Sequence, residues 1–312
     1  MAWIKAFGRY LPERVVGNAE LEAITGVDPG WIVKASGIEE RRFAGGDETV
    51  ADLAVRAAED CLGTAGMAPS ELGMLIVASG SAERQFPGPA ASVAHRLGLG
   101  TTPALDLPVA SAGSLIGMAL ASRLAEAQGP VLVIGAEIMS RVVLRPPIHR
   151  DTAILFGDGA GACLIGPDSG GARILDSVLF TDGSFADSLR LDFNRPLAMD
   201  GRTVILQAAR KIPRAIEEVL KRNGWSVQQA QVFVLHQANL NLIVKVAQAL
   251  RVSETKFCST VRRHGNTSSA SMLIAAAEWW REGRIEPGLP IVFSAFGAGF
   301  HWGALVAVAA AG

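Results

Sequence analysis

Short, almost continuous apolar runs recur along this chain, and they constrain its fold more than any other feature. They lie at 74–79 (MLIVAS), 103–109 (PALDLPV), 131–138 (VLVIGAEI), 161–166 (GACLIG), 232–236 (VFVLH) and 289–296 (LPIVFSAF). None shows the polar alternation of a strand with one wet face, so each must be covered on both sides. Helical patterns fill the gaps at 49–66, 90–99, 114–129, 204–224 and 269–283, long enough to supply those covers. Strands buried on both faces and separated by amphipathic helices predict a layered α/β fold. With 312 residues, 49% of them hydrophobic and 19% charged, the chain can bury the core this requires and is neither disordered nor fibrous. Residues 167–187 (PDSGGARILDSVLFTDGSFAD), rich in Gly, Asp and Ser, divide the chain near its middle. The element order is similar on the two sides, which reads as a weak internal duplication with halves 1–166 and 167–312.

Charge and cysteine content exclude several functions. A net charge of −1 provides no global field for nucleic acid or an anionic membrane. The three cysteines, Cys61, Cys163 and Cys258, are widely spaced, with no CxxC pair, so neither a disulfide framework nor a zinc site is expected. A reducing compartment is the default. The first residues, MAWIKAFGRYLPERVV, lack the apolar core of a secretion signal, and no apolar run reaches membrane-spanning length. The expectation is a soluble cytoplasmic protein without a bound metal.

Three polar positions stand out in apolar surroundings. Ser111 falls where an apolar strand gives way to a helix, in ALDLPVASAGSLIGMALAS. The first-turn N–H groups of that helix and its positive dipole end favour an anion or an oxyanion. His236 ends the strand VFVLH and is the best candidate for the base that a serine hydroxyl requires. Asn266, in RRHGNTSSASM, offers an uncharged donor suited to an enolate or tetrahedral oxyanion. Gly297 and Gly299, in SAFGAGFHWGA, let backbone approach a reacting carbon, and the N–H groups of Ser111 and Gly299 are candidate oxyanion donors. Each signal has an ordinary counterpart: Ser111 as a helix N-cap, His236 as a structural histidine, HGN as a loop. The segment GDGAGA at 157–162 leads into a strand and lacks a following Lys, so close sheet packing explains it better than a phosphate loop.

Seven segments in order carry a family resemblance: WIVKASGIEERR, FPGPAASVAHRLGL, ALDLPVASAG, FGDGAGACLIG, HQANLNLI, RRHGNTSSASM and AFGAGFHWGALV. Over essentially its whole length the chain resembles the ketoacyl-acyl-carrier-protein synthase III family of the thiolase-like superfamily. The resemblance implies two βαβαβαββ halves related by a pseudo-twofold axis, in five layers α-β-α-β-α. It also implies a homodimer that uses acyl-CoA and acyl carrier protein, with coenzyme A or a phosphopantetheine thioester as substrate rather than as a permanently bound cofactor. The family's Cys-His-Asn triad falls on Ser111, His236 and Asn266. Positions that hold the CoA arm fall on Trp31, Arg150, Gly201 and Asn239, and Phe86 matches a residue that enters the acyl pocket of the partner subunit.

The chain departs from the family at three points. Serine replaces the cysteine nucleophile; Ala35 replaces an arginine that grips the nucleotide end of CoA; and Asn241 and Gln248 replace basic residues that meet the carrier. Lys245, Arg210, Lys211 and Arg214 remain as substitutes on that side. The leading expectation is an acyltransferase that forms an acyl-Ser111 intermediate and condenses it with a malonyl thioester, of a starter-unit or secondary-metabolite type. The alternatives are transfer to a hydroxyl, amine or carrier thiol, malonyl decarboxylation alone, an inactive partner subunit, or an engineered Cys-to-Ser trap.

Overall fold

A computed structural model describes residues 1–283 and 285–310. The first half runs β1 (Trp3–Tyr10), α1 (Val50–Ala65), β2 (Met74–Ala78), α2 (Pro89–Arg96), β3 (Ala104–Leu107), α3 (Gly113–Gln128), β4 (Val131–Ile138) and β5 (Asp158–Gly166). After residues 167–171 the series repeats as β6 (Ala172–Thr181), α4 (Gly201–Arg222), β7 (Val232–Leu235), α5 (Leu240–Leu250), α6 (Ser271–Arg281), β8 (Pro290–Gly297) and β9 (His301–Ala309). The counterpart of β3 shrinks to a parallel bridge between Phe233 and Phe257. The strands order as β7-β8-β9-β6-β1-β5-β4-β2-β3, so each half has the same internal order, and a short β1–β6 pairing joins them.

The divider expected at 167–187 is shorter than its composition implies. Residues Ala172–Thr181 form a ten-residue strand at the centre of the molecule, hydrogen-bonded along β9. Only Ala172, Ser177 and Val178 are buried, and charged Arg173 and Asp176 interrupt the apolar residues, so the strand does not read as a continuous apolar run. Strands β1 and β9 were likewise not singled out by that search.

Burial divides the helices into outer and central layers. Helix α1 starts in a Thr49–Asp52 capping box and buries the stripe Val50, Leu53, Ala54, Ala57, Cys61 against the first half of the sheet. Helix α4 buries Val204, Ala208, Ile212, Ala215, Ile216 and Val219 against the second half. The central helices α3 and α6 touch both halves of the sheet. Residues 271–277 of α6 are buried without a break, as expected of a helix covered on all sides. Helix α3, which its pattern presents as amphipathic, is also buried over most of its surface. Close approach demands glycine here: a Cβ on Gly161 of β5 would lie 2.8 Å from the Ile274 backbone nitrogen and 2.6 Å from Leu273 Cβ. The glycines of 157–162 thus serve sheet–helix packing, as their sequence context implies.

Strands β2, β3 and β4 run parallel, as do β7 and β8. Ser111 follows the carboxyl end of β3, Glu137 sits near that of β4, His236 follows β7, and Gly297 ends β8. Carboxyl ends of parallel strands are the usual place for a ligand site in such sheets.

Candidate active site

Ser111 has a left-handed backbone at φ 62°, a conformation that costs a non-glycine residue on the order of 1–3 kcal/mol. It is not the helix cap: Ala112 occupies the N-cap of α3 and no side chain caps that helix. The strained turn is held from two sides. Gly297 presses on it so closely that a Cβ there would lie 2.1 Å from Ala110 O, and Ser268 accepts the Ser111 N–H at 3.1 Å through its Oγ. The Ser111 N–H, expected as an oxyanion donor, thus has a partner within the chain. Gly299, the other expected donor, lies in the β8–β9 turn with the His301 ring in the space a side chain would need.

One short segment, 266–271, links the three predicted side chains. Asn266 accepts the Ser268 N–H at 2.9 Å through Oδ1, and the Ser268 Oγ lies 3.3 Å from the Ser111 Oγ. Three residues on, the Ser271 Oγ lies 2.6 Å from His236 Nδ1. Ser111, His236 and Asn266 are 6%, 4% and 6% exposed. His236 Nε2 and Asn266 Nδ2 have no hydrogen-bond partner among the described residues, yet neither is sealed from solvent. Both therefore face open space.

Burial lowers the His236 pKa to about 3, so the ring is neutral at physiological pH. Its tautomer follows from the hydrogen bonds. Ser271 Oγ accepts the Gln237 N–H at 3.0 Å, leaving His236 Nδ1 as the one acceptor for the Ser271 proton among the described residues. The imidazole then carries its own proton on Nε2 and presents a donor, like the Asn266 amide. Neutral donors of this kind suit the oxygen of an enolate or tetrahedral adduct.

Sequence reasoning did not single out Ser268, Ser271 or Glu137. The signal for Glu137 was one carboxylate in the apolar run VLVIGAEI. Its buried carboxylate accepts from Ser81 Oγ (2.5 Å), Gly80 N (3.0 Å), Ser268 Oγ (3.0 Å), Ser79 Oγ (3.3 Å) and Ser269 N (3.3 Å). No cysteine sits in the place of Ser111. Burial raises Cys61 to about 12 and Cys163 well above its ordinary value, so both remain inert thiols.

The positions expected to hold the CoA arm lie outside this cluster. Trp31 is exposed on the helix Pro29–Ser36, Arg150 is exposed at the start of the helix Arg150–Ala153, and Gly201 begins α4. Asn239 caps α5 through Oδ1, accepting from Asn241 N and Leu242 N, while its Nδ2 donates to Ala35 O at 3.0 Å. Phe86 is 84% exposed. Of the basic residues proposed to meet a carrier, Lys211 does not fit. It pairs with Asp182 at 2.8 Å and packs over the Phe185, Phe300 and Trp302 rings. Arg210, Arg214 and Lys245 are exposed. Among the described residues no group of His, Cys, Asp and Glu is placed to hold a metal ion, and no helix is long and apolar enough to cross a membrane.

The family model for 3-oxoacyl-[acyl-carrier-protein] synthase III matches residues 105–183, and the model of its C-terminal part matches residues 220–308. The beta-ketoacyl-[acyl-carrier-protein] synthase III of Listeria monocytogenes is 36% identical over 307 residues, covering 98% of both chains. The chain belongs to the synthase III family. The crystal structure of the Aquifex aeolicus synthase III superposes with a TM-score of 0.94 at 32% identity, covering 99% of this chain and 100% of that one. The priming beta-ketosynthase of the R1128 polyketide pathway superposes at 0.92 and 31% identity, covering 99% and 96%. Membership makes this synthase III chain an acyltransferase-type condensing enzyme with a thiolase-like fold.

Proposed function

We propose that this synthase III chain takes an acyl group from an acyl-CoA or acyl-carrier thioester onto Ser111 and condenses it with a malonyl thioester. The observation that carries the reading is the 266–271 segment, which ties Ser111, His236 and Asn266 into one buried cluster with two donors facing open space. In the first half-reaction Ser111 Oγ attacks the thioester carbonyl and gives up its proton, an ester bond forms as the C–S bond breaks, and the leaving thiolate takes up that proton. In the second, malonyl thioester loses CO2, and His236 Nε2–H and Asn266 Nδ2–H stabilise the enolate oxygen. The enolate carbon then attacks the acyl-Ser111 carbonyl, the ester C–O bond breaks, and the Ser111 alkoxide takes a proton from solvent, releasing the β-ketoacyl thioester and the free serine. An oxygen ester is a weaker acyl donor to carbon than a thioester. That weakness favours, as a second reading, transfer of the acyl group to a hydroxyl, amine or carrier thiol without condensation.

The CoA arm would run past exposed Trp31 and Arg150, with the carrier meeting Arg210, Arg214 and Lys245. Homodimerisation is part of the same proposal: β3 ends the sheet with an unpaired edge, its Leu105 is 41% exposed, and Phe86 is exposed as well. The deciding experiment incubates the protein with a panel of acyl-CoAs and reads intact mass with peptide mapping. An acyl adduct on Ser111 that malonyl-carrier thioester converts to a β-ketoacyl product is the expected result. No adduct with any donor, alongside malonyl decarboxylation, would overturn it; an adduct discharged only to hydroxyl, amine or thiol acceptors would select the second reading.

A further inference from the structure

We infer that Glu137, acting through Ser268, positions the Ser111 hydroxyl and receives its proton, so that the oxygen nucleophile has an activating partner other than His236. The inference rests on the proposal that Ser111 is the nucleophile. Three hydrogen bonds define the relay. Ser268 Oγ gives its proton to Glu137 Oε1 at 3.0 Å and accepts the Ser111 N–H at 3.1 Å, and its second lone pair faces Ser111 Oγ at 3.3 Å. The Ser111 hydroxyl can therefore only donate along this line, because the Ser268 proton is committed to the carboxylate. Every neighbour of Glu137 donates to it: Ser79, Ser81 and Ser268 through hydroxyls, Gly80 and Ser269 through backbone N–H. Ser79 Oγ also accepts from Ser81 N, and Ser81 Oγ from Ile138 N, so both hydroxyls are held in place beside the carboxylate. This set suits the acceptor-only form of the carboxylate. Meanwhile His236 Nε2 carries a proton and cannot take another without charging a buried ring.

In the proposed step the Ser111 O–C bond forms as the Ser111 proton moves to Ser268 and the Ser268 proton moves to Glu137. Collapse of the adduct breaks the C–S bond with its electron pair on sulphur, and the thiolate recovers the proton from Glu137 through Ser268. A cysteine would need this help far less, because a helix N-terminus alone lowers a thiol into its working range. Ser268 itself holds a left-handed φ of 47°, so two strained residues face each other across this hydrogen bond.

The test measures labelling of Ser111 by methanesulfonyl fluoride, which forms the O–S bond and expels fluoride without any acyl donor. Rates would be compared in wild type, Ser268→Ala, Glu137→Gln and Glu137→Asp. Loss of the relay should slow labelling about 10²-fold in Ser268→Ala and Glu137→Gln, with part of the rate restored in Glu137→Asp. In a Ser111→Cys background, Ser268→Ala and Glu137→Gln should slow alkylation by iodoacetamide less than about threefold, since the thiol is activated by the helix N-terminus. Equal losses in both backgrounds would reduce the pair to a structural role, and unchanged Ser111 labelling in Ser268→Ala would overturn the relay. If wild-type Ser111 resists the sulfonyl fluoride, the relay is wrong. If it is labelled but accepts no acyl-CoA, only the proposed function fails.

Discussion

Buried polar residues in this molecule titrate in opposite senses, and the signs can be worked out. His236 is held neutral by burial, with a pKa of about 3 against an ordinary value of 6.5. Between these values the unfolded chain binds a proton that the folded chain refuses. The residue's contribution is therefore full above pH 6.5 and is lost as pH falls towards 3. Relative to His236→Asn, wild type should lose about 2 kcal/mol between pH 7 and pH 5 in urea melts; a constant difference would show that the ring protonates in place. Asp158 behaves in reverse. Burial pushes it up to about 6, despite accepting from Ser140 Oγ, Ser140 N and Ala44 N. Its contribution is present below pH 3.8 and lost as pH rises through 6, so wild type should gain on Asp158→Asn when pH is lowered from 7 to 4.5, as read by thermal melts of the pair. At the catalytic cluster, Asn266→Asp should cut malonyl decarboxylation by about 10²–10³-fold. The carboxylate would face an enolate oxygen of the same charge, while acylation of Ser111 falls less. Equal losses in both half-reactions would remove Asn266 from the enolate site.

At the scale of elements, sequence-level reasoning succeeded where one local rule governed and failed where two competed. The runs at 74–79, 131–138 and 232–236 are strands with apolar side chains buried on both faces of the sheet. The strand Ala172–Thr181 was missed because its apolar residues are broken by Arg173 and Asp176 and sit beside a Gly- and Asp-rich connection that looked like the whole segment. The pattern of α3 reads as one apolar face, yet the helix is covered on both sides by the two halves of the sheet, which a linear pattern cannot reveal. Asn239 has a structural role besides the one the resemblance implies. Placed by resemblance on the CoA arm, it spends Oδ1 on the first turn of α5 and Nδ2 on Ala35 O. Asn239→Ala should cost about 1 kcal/mol of stability from the lost cap, measured by urea denaturation. A loss confined to the KM for acyl-CoA, with stability unchanged, would assign it to the ligand instead.

For the whole molecule, the two halves repeat one element order around central helices that both share, so the site lies where loops from both halves meet. β4 supplies Glu137 and the β3–α3 turn supplies Ser111, while the second half supplies His236 and the 266–271 segment. The free edge of β3 is the natural place for a second copy, since pairing would satisfy its backbone groups and cover Leu105. Wild type should sediment at twice the 32.7 kDa chain mass, and Leu105→Lys should shift it towards the single-chain value; a wild-type monomer at micromolar concentration would refute the dimer. The sequence alone determined the layered α/β class, the ordered motifs of the family, and the three residue types at the site, because apolar patterning and motif order are properties of the chain. Only the tertiary structure brought these side chains to their hydrogen-bond partners. Ser268 accepts the Ser111 N–H, Ser271 Oγ lies against His236 Nδ1, and Glu137 accepts from Ser268 behind Ser111. Those facts depend on hydrogen bonds between residues as far apart as 111 and 268, and their geometry is set by packing that no local pattern encodes.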